Sequence, residues 1–269
     1  GESDGIVIIN WRDLYDSGAE TDDDVAAVID ATQRTDTSCL IYTSGTGGAP
    51  KGVMLSHRNL IANTFHWLVS VPKKEEDIVL VMAPLFHAAG SGGVIANIWT
   101  LGTHVTLAVF DPKTALDLIA QHGITDSLGV PTMLAAIAEE QLIRPRKIDT
   151  LRTLAHGGSP IATEILRRTH SAFPAAELIE VYGATELSPL CTVLNNEQNL
   201  INSPLARSCG RPTVGNEIEI LDPSGHTLLS GEIGEVVVRG ANVMQGYWNK
   251  PEQTAAVLKD GAYWTGDLG

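Results

Sequence analysis

Apolar and polar positions along the chain follow two periods, and their alternation predicts an α/β fold. Short apolar runs typical of strands occupy residues 38–42, 77–83, 104–107, 127–130, 153–155 and 178–182. Between them, apolar residues at spacings of three and four predict helices at 56–71, 112–121, 131–140 and 162–172. Strands that alternate with helices are typical of a mostly parallel sheet that helices cover.

Two of these helices carry clear start signals. Ser56 is placed to cap the first helix, and Asp111 is followed by Pro112 at the first helical position of the second. These residue types at these positions predict that both helices begin there.

The pattern changes at both ends of this region. Before residue 38 the chain is acidic, and we expect one short strand within 6–9 and a connecting segment. After about residue 206, strand patterns at 217–221 and 235–239 are separated by turn-rich stretches, which indicates a small β-rich subdomain. We therefore expect a linker and edge segment at 1–37, an α/β nucleotide- and acyl-binding region at 38–205, and the β-rich subdomain at 206–269.

Composition narrows the class of partner. Hydrophobic residues make up 43% of the chain and charged residues 19%, as in ordinary globular proteins. The net charge of -14 argues against a nucleic-acid binder, because such proteins need clustered Lys and Arg. Three widely spaced cysteines predict neither a disulfide framework nor a zinc site. The cysteine pattern fits a reducing cytosol, so we expect a cytoplasmic protein. No long apolar run predicts a transmembrane helix.

A loop rich in glycine and hydroxyl groups follows the strand predicted at 38–42. Residues 43–52 read Thr-Ser-Gly-Thr-Gly-Gly-Ala-Pro-Lys-Gly, in which Lys51 supplies one positive charge. Glycines let backbone N–H groups approach anionic oxygens, and hydroxyls add donors, so the loop predicts a phosphate site. A Walker A loop would need Gly and Ser or Thr where Pro50 and Gly52 stand, and Pro50 also breaks the dinucleotide-binding fingerprint. A flexible surface loop is the alternative.

This loop resembles the phosphate-binding motif of the adenylate-forming superfamily. Three further motifs similar to those of the family follow in the expected order, at 181–186, at 231–235 with 246–248, and at 263–267. On these motifs the chain is identified as similar to AMP-forming acyl-CoA synthetases, the fatty-acid–CoA ligases, over about 38–269. The resemblance implies the large domain of that family, truncated at both ends. Gly47 departs from the Ser or Thr usual in the family and removes one hydroxyl donor.

The resemblance implies ATP-dependent activation of a carboxylic acid, most naturally a fatty acid. The product would be an acyl-adenylate, formed with release of pyrophosphate, and the acyl group would then pass to the thiol of CoA. The implied cofactors are ATP, Mg²⁺ and the co-substrate CoA. The mobile C-terminal domain that completes the family's site is absent from the sequence, so we expect the chain by itself to be inactive or impaired.

The resemblance also implies residue roles. Catalytic roles fall on Lys51, His87, Thr185 and Glu186. Nucleotide binding is implied for Thr43, Ser44, Gly45, Thr46, Gly47, Gly48, Lys51, Gly157, Gly158, Ser159, Tyr182, Gly183, Thr185 and Asp267. Thr43 and Glu186 offer the hard oxygen ligands that Mg²⁺ prefers. Tyr182 would pack on adenine, and Asp267 would accept hydrogen bonds from the ribose.

The segment 83–90 bears on the acid that is activated. His87 stands where amino-acid-activating relatives commonly place an Asp for the substrate ammonium. A buried ammonium would need that carboxylate, so an apolar acid is favoured. The Ala- and Gly-rich stretch up to Ala96 either leaves room for an acyl chain or forms a tightly packed helix.

Several alternatives stay open. Residues 89–93 resemble a hydrolase nucleophile elbow, but the oxyanion-like motif at 156–158 comes after it instead of before. A catalytically incomplete module that binds nucleotide or acyl ligand is a second alternative, and a carrier-protein thiol as acceptor is a third. Acyl chain length, oligomeric state and peripheral membrane attachment are not indicated by the sequence.

Overall fold

The computed structural model describes residues 2–3, 6–7, 22–44, 49–71 and 73–269, which divide into two compact units at 1–36 and 37–269. In the first unit, strands β1 (Glu2–Ser3) and β2 (Ile6–Val7) pair antiparallel, and helix α1 spans Asp22–Ala31. The prediction of one strand and a connecting segment was therefore incomplete. The helical spacing of Val25, Val28 and Ile29 is the signal for α1 that it overlooked.

A seven-stranded sheet forms the centre of the second unit. Its strands are β5 (Ile78–Val81), β6 (Thr103–Thr106), β7 (Asp126–Gly129), β8 (Thr153–Gly157), β9 (Glu177–Gly183), β10 (Leu190–Leu194) and β11 (Arg211–Pro212). Their order is β11-β10-β9-β8-β7-β5-β6, with β5 to β9 parallel and β10 and β11 antiparallel to their neighbours. The predicted mostly parallel sheet is confirmed.

Helices cover both faces of this sheet. They are α2 (His57–Ser70), α3 (Ala88–Trp99), α4 (Pro112–His122), α5 (Pro131–Ile143) and α6 (Thr163–Ala172). Leu154 packs with Leu116 of α4 and Leu134 of α5 in one buried cluster. The next strand residue, Ala155, packs with Trp67 of α2 in another. Because successive strand residues point to opposite faces, the apolar runs are buried on both sides.

Both predicted helix starts are confirmed. The Asn59 amide donates to Ser56 Oγ at 3.2 Å, and the Ser56 amide donates to Asn59 Oδ1 at 2.8 Å, which forms a capping box. Asp111 Oδ2 accepts from the Thr114 amide at 2.8 Å, with Pro112 at the first position. The Ala- and Gly-rich stretch, whose structure the sequence left open, is helix α3.

Two antiparallel sheets complete the second unit. One orders β14 (Gly246–Tyr247), β4 (Lys51–Ser56) and β3 (Thr37–Thr43); the other orders β12 (Glu217–Leu221), β13 (Glu235–Arg239), β16 (Ala262–Leu268) and β15 (Leu258–Lys259), with helix α7 (Pro251–Val257) before β15. The strands predicted at 217–221 and 235–239 are β12 and β13. The three-way division at residues 37 and 205 stays a prediction.

The strand predicted at 38–42 does not belong to the parallel series. It is β3, which pairs antiparallel with β4 and is half-exposed, with Tyr42 61% exposed. The residues that connect β3 to β4 are too few for the crossover that a parallel pair needs, so the chain returns as a hairpin. Strand β4 itself was missed, because its residues read as the end of the loop.

Within the described residues, no helix is both long and apolar enough to cross a bilayer.

A buried polar cluster lies among the apolar side chains of the sheet. His156 Nε2 and Glu197 Oε2 are 2.6 Å apart, and both side chains are fully buried. Glu180 is aligned with His156 across the β8–β9 pair. Burial, together with the nearby Glu197 carboxylate, raises the pKa of Glu180 to about 7, and His156 offsets part of that rise. The fold therefore disfavours the ionised form of Glu180.

We expect Glu180→Gln to stabilise the protein at pH 8 and to change little at pH 5. The folded-state pKa lies above the unfolded value of 4.5, so the fold holds this proton more tightly and loses stability as pH rises from about 4.5 to 7. After discounting for partial exposure, the gain at pH 8 is on the order of 1 kcal/mol by thermal or urea unfolding.

The exposed Glu164→Gln on α6 is the matched control and should change little at either pH. Equal gains from Glu180→Gln at pH 5 and pH 8 would mean that packing, not ionisation, is responsible.

Candidate functional site

A cavity of about 190 Å³ lies where the parallel strands β8 and β9 end. Six of the residues to which the sequence assigned a role line it: His87, Gly157, Gly158, Tyr182, Gly183 and Thr185. Its wall also includes Trp67, Leu128 and Pro189. Ligands commonly bind at the carboxyl ends of parallel strands, because loops of several elements converge there.

The fold itself requires glycine at three positions of the cavity wall. A Cβ on Gly157 would lie 2.3 Å from the Val181 carbonyl oxygen, and one on Gly183 would lie 1.7 Å from the Pro189 carbonyl oxygen. Gly158 has φ of +81°, a conformation that side chains disfavour. The backbone is therefore bare along this wall, whether or not a ligand is bound.

Tyr182 links the cavity to the motif near the end of the chain. Its hydroxyl donates to Asp267 Oδ2 at 2.7 Å, which joins β9 of the large sheet to β16 of the four-stranded sheet. Burial, and next this hydrogen bond, raises the pKa of Tyr182 above its usual value. Tyr182 thus stays a neutral donor at physiological pH, and Asp267 is exposed.

Glu186 comes directly after Thr185 of the cavity wall and is only 8% exposed. Its Oε1 accepts a hydrogen bond of 2.7 Å from the Tyr247 hydroxyl. The ammonium of Lys51 lies 4.8 Å from the centroid of the same tyrosine ring, within the range of a cation–π contact. The two charged residues predicted to be catalytic are therefore brought together through one aromatic side chain.

The backbone around Glu186 is held by the segment 241–244. The Met244 amide donates to the Glu186 carbonyl at 2.9 Å. Asn242 Nδ2 donates to the Leu187 carbonyl at 2.8 Å, and Asn59 Nδ2 of α2 donates to the Val243 carbonyl at 2.8 Å. Because Asn59 and Asn242 are buried, these bonds are protected from water.

The rest of the predicted phosphate loop is only partly described. Gly45, Thr46, Gly47 and Gly48 lie outside the described residues. Thr43, the last residue of β3, is opposite Lys51 in the β3–β4 pair.

Two serines with predicted roles lie outside regular elements. Ser44 follows β3 and is exposed, and Ser159 is exposed just after β8.

His87 caps helix α3 as well as lining the cavity. Its Nδ1 accepts from the Ala89 amide at 3.1 Å. With Nδ1 engaged as acceptor, Nε2 is the ring nitrogen that can donate to a ligand. Ser91 lies inside the same helix and not on a strand-to-helix turn, so the hydrolase interpretation gains no support.

Sequence reasoning missed the contribution of Tyr247 to the site. It had noted 246–248 only as a family motif, and only the pairing of β14 with β4 brings this tyrosine next to Lys51 and Glu186. Trp67 was missed too, because a tryptophan on an amphipathic helix gives no signal that distinguishes a cavity wall from core.

Comparisons with known proteins identify the family of the chain. The family profile described as AMP-binding enzyme matches residues 4–248. The chain is 39% identical to a feruloyl-CoA synthase of Amycolatopsis sp over 87% of its length and 47% of the relative. It is 35% identical to a long-chain-fatty-acid–CoA ligase of Bacillus subtilis, over 87% of the chain and 42% of the relative.

A solved structure shows the same fold. An o-succinylbenzoate CoA synthetase from Bacillus subtilis, in complex with ATP and magnesium ion, superposes with a TM-score of 0.79 at 30% identity. The match covers 88% of the chain and 48% of that structure. The chain thus spans about half the length of the relatives it matches. The ordered motifs, the fold and the family match agree, and the chain belongs to the AMP-binding, adenylate-forming enzyme family.

Proposed function

We propose that the intact protein is an AMP-forming acid–CoA ligase. The observation that carries the proposal is the arrangement at the ends of β8 and β9. There, a cavity walled by bare backbone and Tyr182 adjoins the residue pair Lys51 and Glu186, which Tyr247 links. The names of the relatives, which are acid–CoA ligases, support the same activity.

The nucleotide would occupy the cavity. The adenine would pack on Tyr182 against the backbone of Gly157 and Gly158, where no side chain intrudes. Asp267 would accept hydrogen bonds from the ribose hydroxyls. The phosphates would lie toward Thr43 and Lys51, where an ammonium and hydroxyl groups offset their charge.

Magnesium fits the donor set that the site presents. In the described part of the chain, no three His, Cys, Asp or Glu side chains are grouped to hold a metal. One carboxylate together with substrate phosphates is how Mg²⁺ is commonly bound, and Glu186 with the Thr43 hydroxyl supplies the protein's share. When bound, the ion would neutralise phosphate charge.

In the first half-reaction, a carboxylate oxygen of the acid attacks the α-phosphorus of ATP. A phosphorus–oxygen bond to the acyl group forms, the bond to the oxygen that bridges to the β-phosphate breaks, and pyrophosphate leaves. The residues of the chain contribute by positioning and electrostatics: Lys51 offsets phosphate charge, and His87 Nε2 can donate to the acid. In the second half-reaction, the sulfur of CoA attacks the acyl carbonyl, AMP leaves, and the thiol proton passes to solvent.

The acid would be apolar, with fatty acids as the first candidates. A small cavity of about 30 Å³, lined by Met82, Gly90, Gly93 and Val94, shares residues with the main cavity. Its apolar wall offers no partner for a substrate ammonium. Aromatic acids are the competing class, because one relative is named for ferulate.

We expect Lys51→Ala to lower acid-dependent exchange of pyrophosphate into ATP by at least about 100-fold in the intact protein. The reason is that a positive charge that offsets the phosphate charge of ATP is lost. Glu186→Gln should lower exchange similarly and raise the Mg²⁺ concentration that half-saturates it.

Lys113→Ala and Glu164→Gln on the surface are the charge-matched controls and should keep full exchange.

Aliphatic acids, aromatic acids and amino acids are compared as substrates, with CoA and a carrier-protein thiol as acceptors. ATP binding without exchange by any acid would sink the catalytic proposal and leave a nucleotide-binding module.

We expect Gly93→Leu to shorten the acyl chains that the enzyme accepts. A Cβ at Gly93 would meet no heavy atom within 4 Å, so a side chain can start there, and Gly93 lines the small cavity. The ratio of kcat/KM for long over short acids should fall about tenfold or more, because each excluded methylene forfeits its burial.

Ala135→Leu on α5 is the control, because Ala135 lines neither the main cavity nor the small one. An unchanged chain-length profile in Gly93→Leu would remove the small cavity from the acyl site.

A further inference from the structure

We propose that Tyr247 is a positioning residue that fixes the Lys51 ammonium and the Glu186 carboxylate relative to each other for MgATP. This inference rests on the proposed function, because the proposed function assigns Lys51 to the phosphates and Glu186 to the metal ion. Tyr247 contacts both charges at once, the ammonium through its ring face and the carboxylate through its hydroxyl.

The tyrosine is itself held firmly. It is 5% exposed, and β14 pairs it with Val53 of β4, two residues beyond Lys51. Its amide donates to Thr254 Oγ1 at 2.9 Å. Tyr263 lies in the same buried cluster as Tyr247. A side chain held at its backbone and packed around its ring can define the positions of flexible charged partners.

Both contacts leave Lys51 and Glu186 able to bind a further ligand. A ring face engages the Lys51 ammonium without taking the place of a hydrogen-bond acceptor, so the N–H donors stay available to phosphate oxygens. The hydroxyl occupies Oε1 of Glu186, and Oε2 can still face a cation. A direct ion pair between Lys51 and Glu186 would instead satisfy each charge with the other.

In the hydrogen bond between the two residues, the Tyr247 hydroxyl is the donor and the Glu186 carboxylate is the acceptor.

Two substitutions separate the two contacts. Tyr247→Phe keeps the ring under Lys51 and removes the donor to Glu186. Tyr247→Leu removes both. ATP binding is measured by isothermal titration calorimetry on the intact protein, once with Mg²⁺ and once with EDTA.

For Tyr247→Phe we expect an affinity loss of about five- to tenfold with Mg²⁺ and less than about twofold in EDTA. For Tyr247→Leu we expect losses in both conditions, because Lys51 is also released. Tyr42→Phe removes an exposed hydroxyl from the same three-stranded sheet and should match the wild type. Melting temperatures verify folding, and if Tyr247→Leu does not fold, the Tyr247→Phe comparison decides.

Suppose that the wild type binds MgATP and that Tyr247→Phe binds ATP with the same affinity as the wild type, both with Mg²⁺ and with EDTA. This result would overturn the inference and make Tyr247 an ordinary core aromatic. Equal losses with Mg²⁺ and EDTA in Tyr247→Phe would overturn it too, since the hydroxyl would then not act through the metal ligand. No binding of MgATP by the wild type would instead overturn the proposed function on which the inference rests.

Discussion

The burial of the Glu186 carboxylate is the constraint on which the site's geometry depends. A carboxylate that is 8% exposed needs hydrogen-bond donors of its own, and Tyr247 supplies one. Tyr247 can reach it only because β14 pairs with β4, and β4 begins at Lys51. The buried carboxylate thus connects Lys51 at the start of β4, the turn after β9 and the segment before α7 in a single arrangement.

Different sheets contribute different parts of the proposed site. The seven-stranded sheet supplies the cavity wall through the carboxyl ends of β8 and β9, whereas the two antiparallel sheets supply Lys51, Tyr247 and Asp267. Elements far apart in sequence therefore meet at one place. Buried asparagines, above all Asn59 and Asn242, hold the junction by donating to backbone carbonyls.

What could be predicted from the sequence followed from local pattern. The parallel strands and the capped starts at Ser56 and Asp111 depend on neighbouring residues, so the fold class and those helices were accessible. The pairing of β3 with β4 depends on where a hairpin closes, and apolar periodicity does not report that. The link from Tyr247 to Glu186 spans 61 residues and arises from tertiary packing alone. The roles predicted for individual site residues remain predictions.

The hydrogen bond from Tyr182 to Asp267 already uses one oxygen of the carboxylate that is proposed to accept from the ribose. A ribose hydroxyl that donates to Asp267 Oδ2 would share that oxygen with the phenol or displace the phenol from it. Such an exchange replaces one hydrogen bond with another, so its net contribution to affinity is small. Displacement would also release the tie between the large sheet and the four-stranded sheet. Ribose binding at Asp267, if it occurs as proposed, would then change a contact between the two sheets.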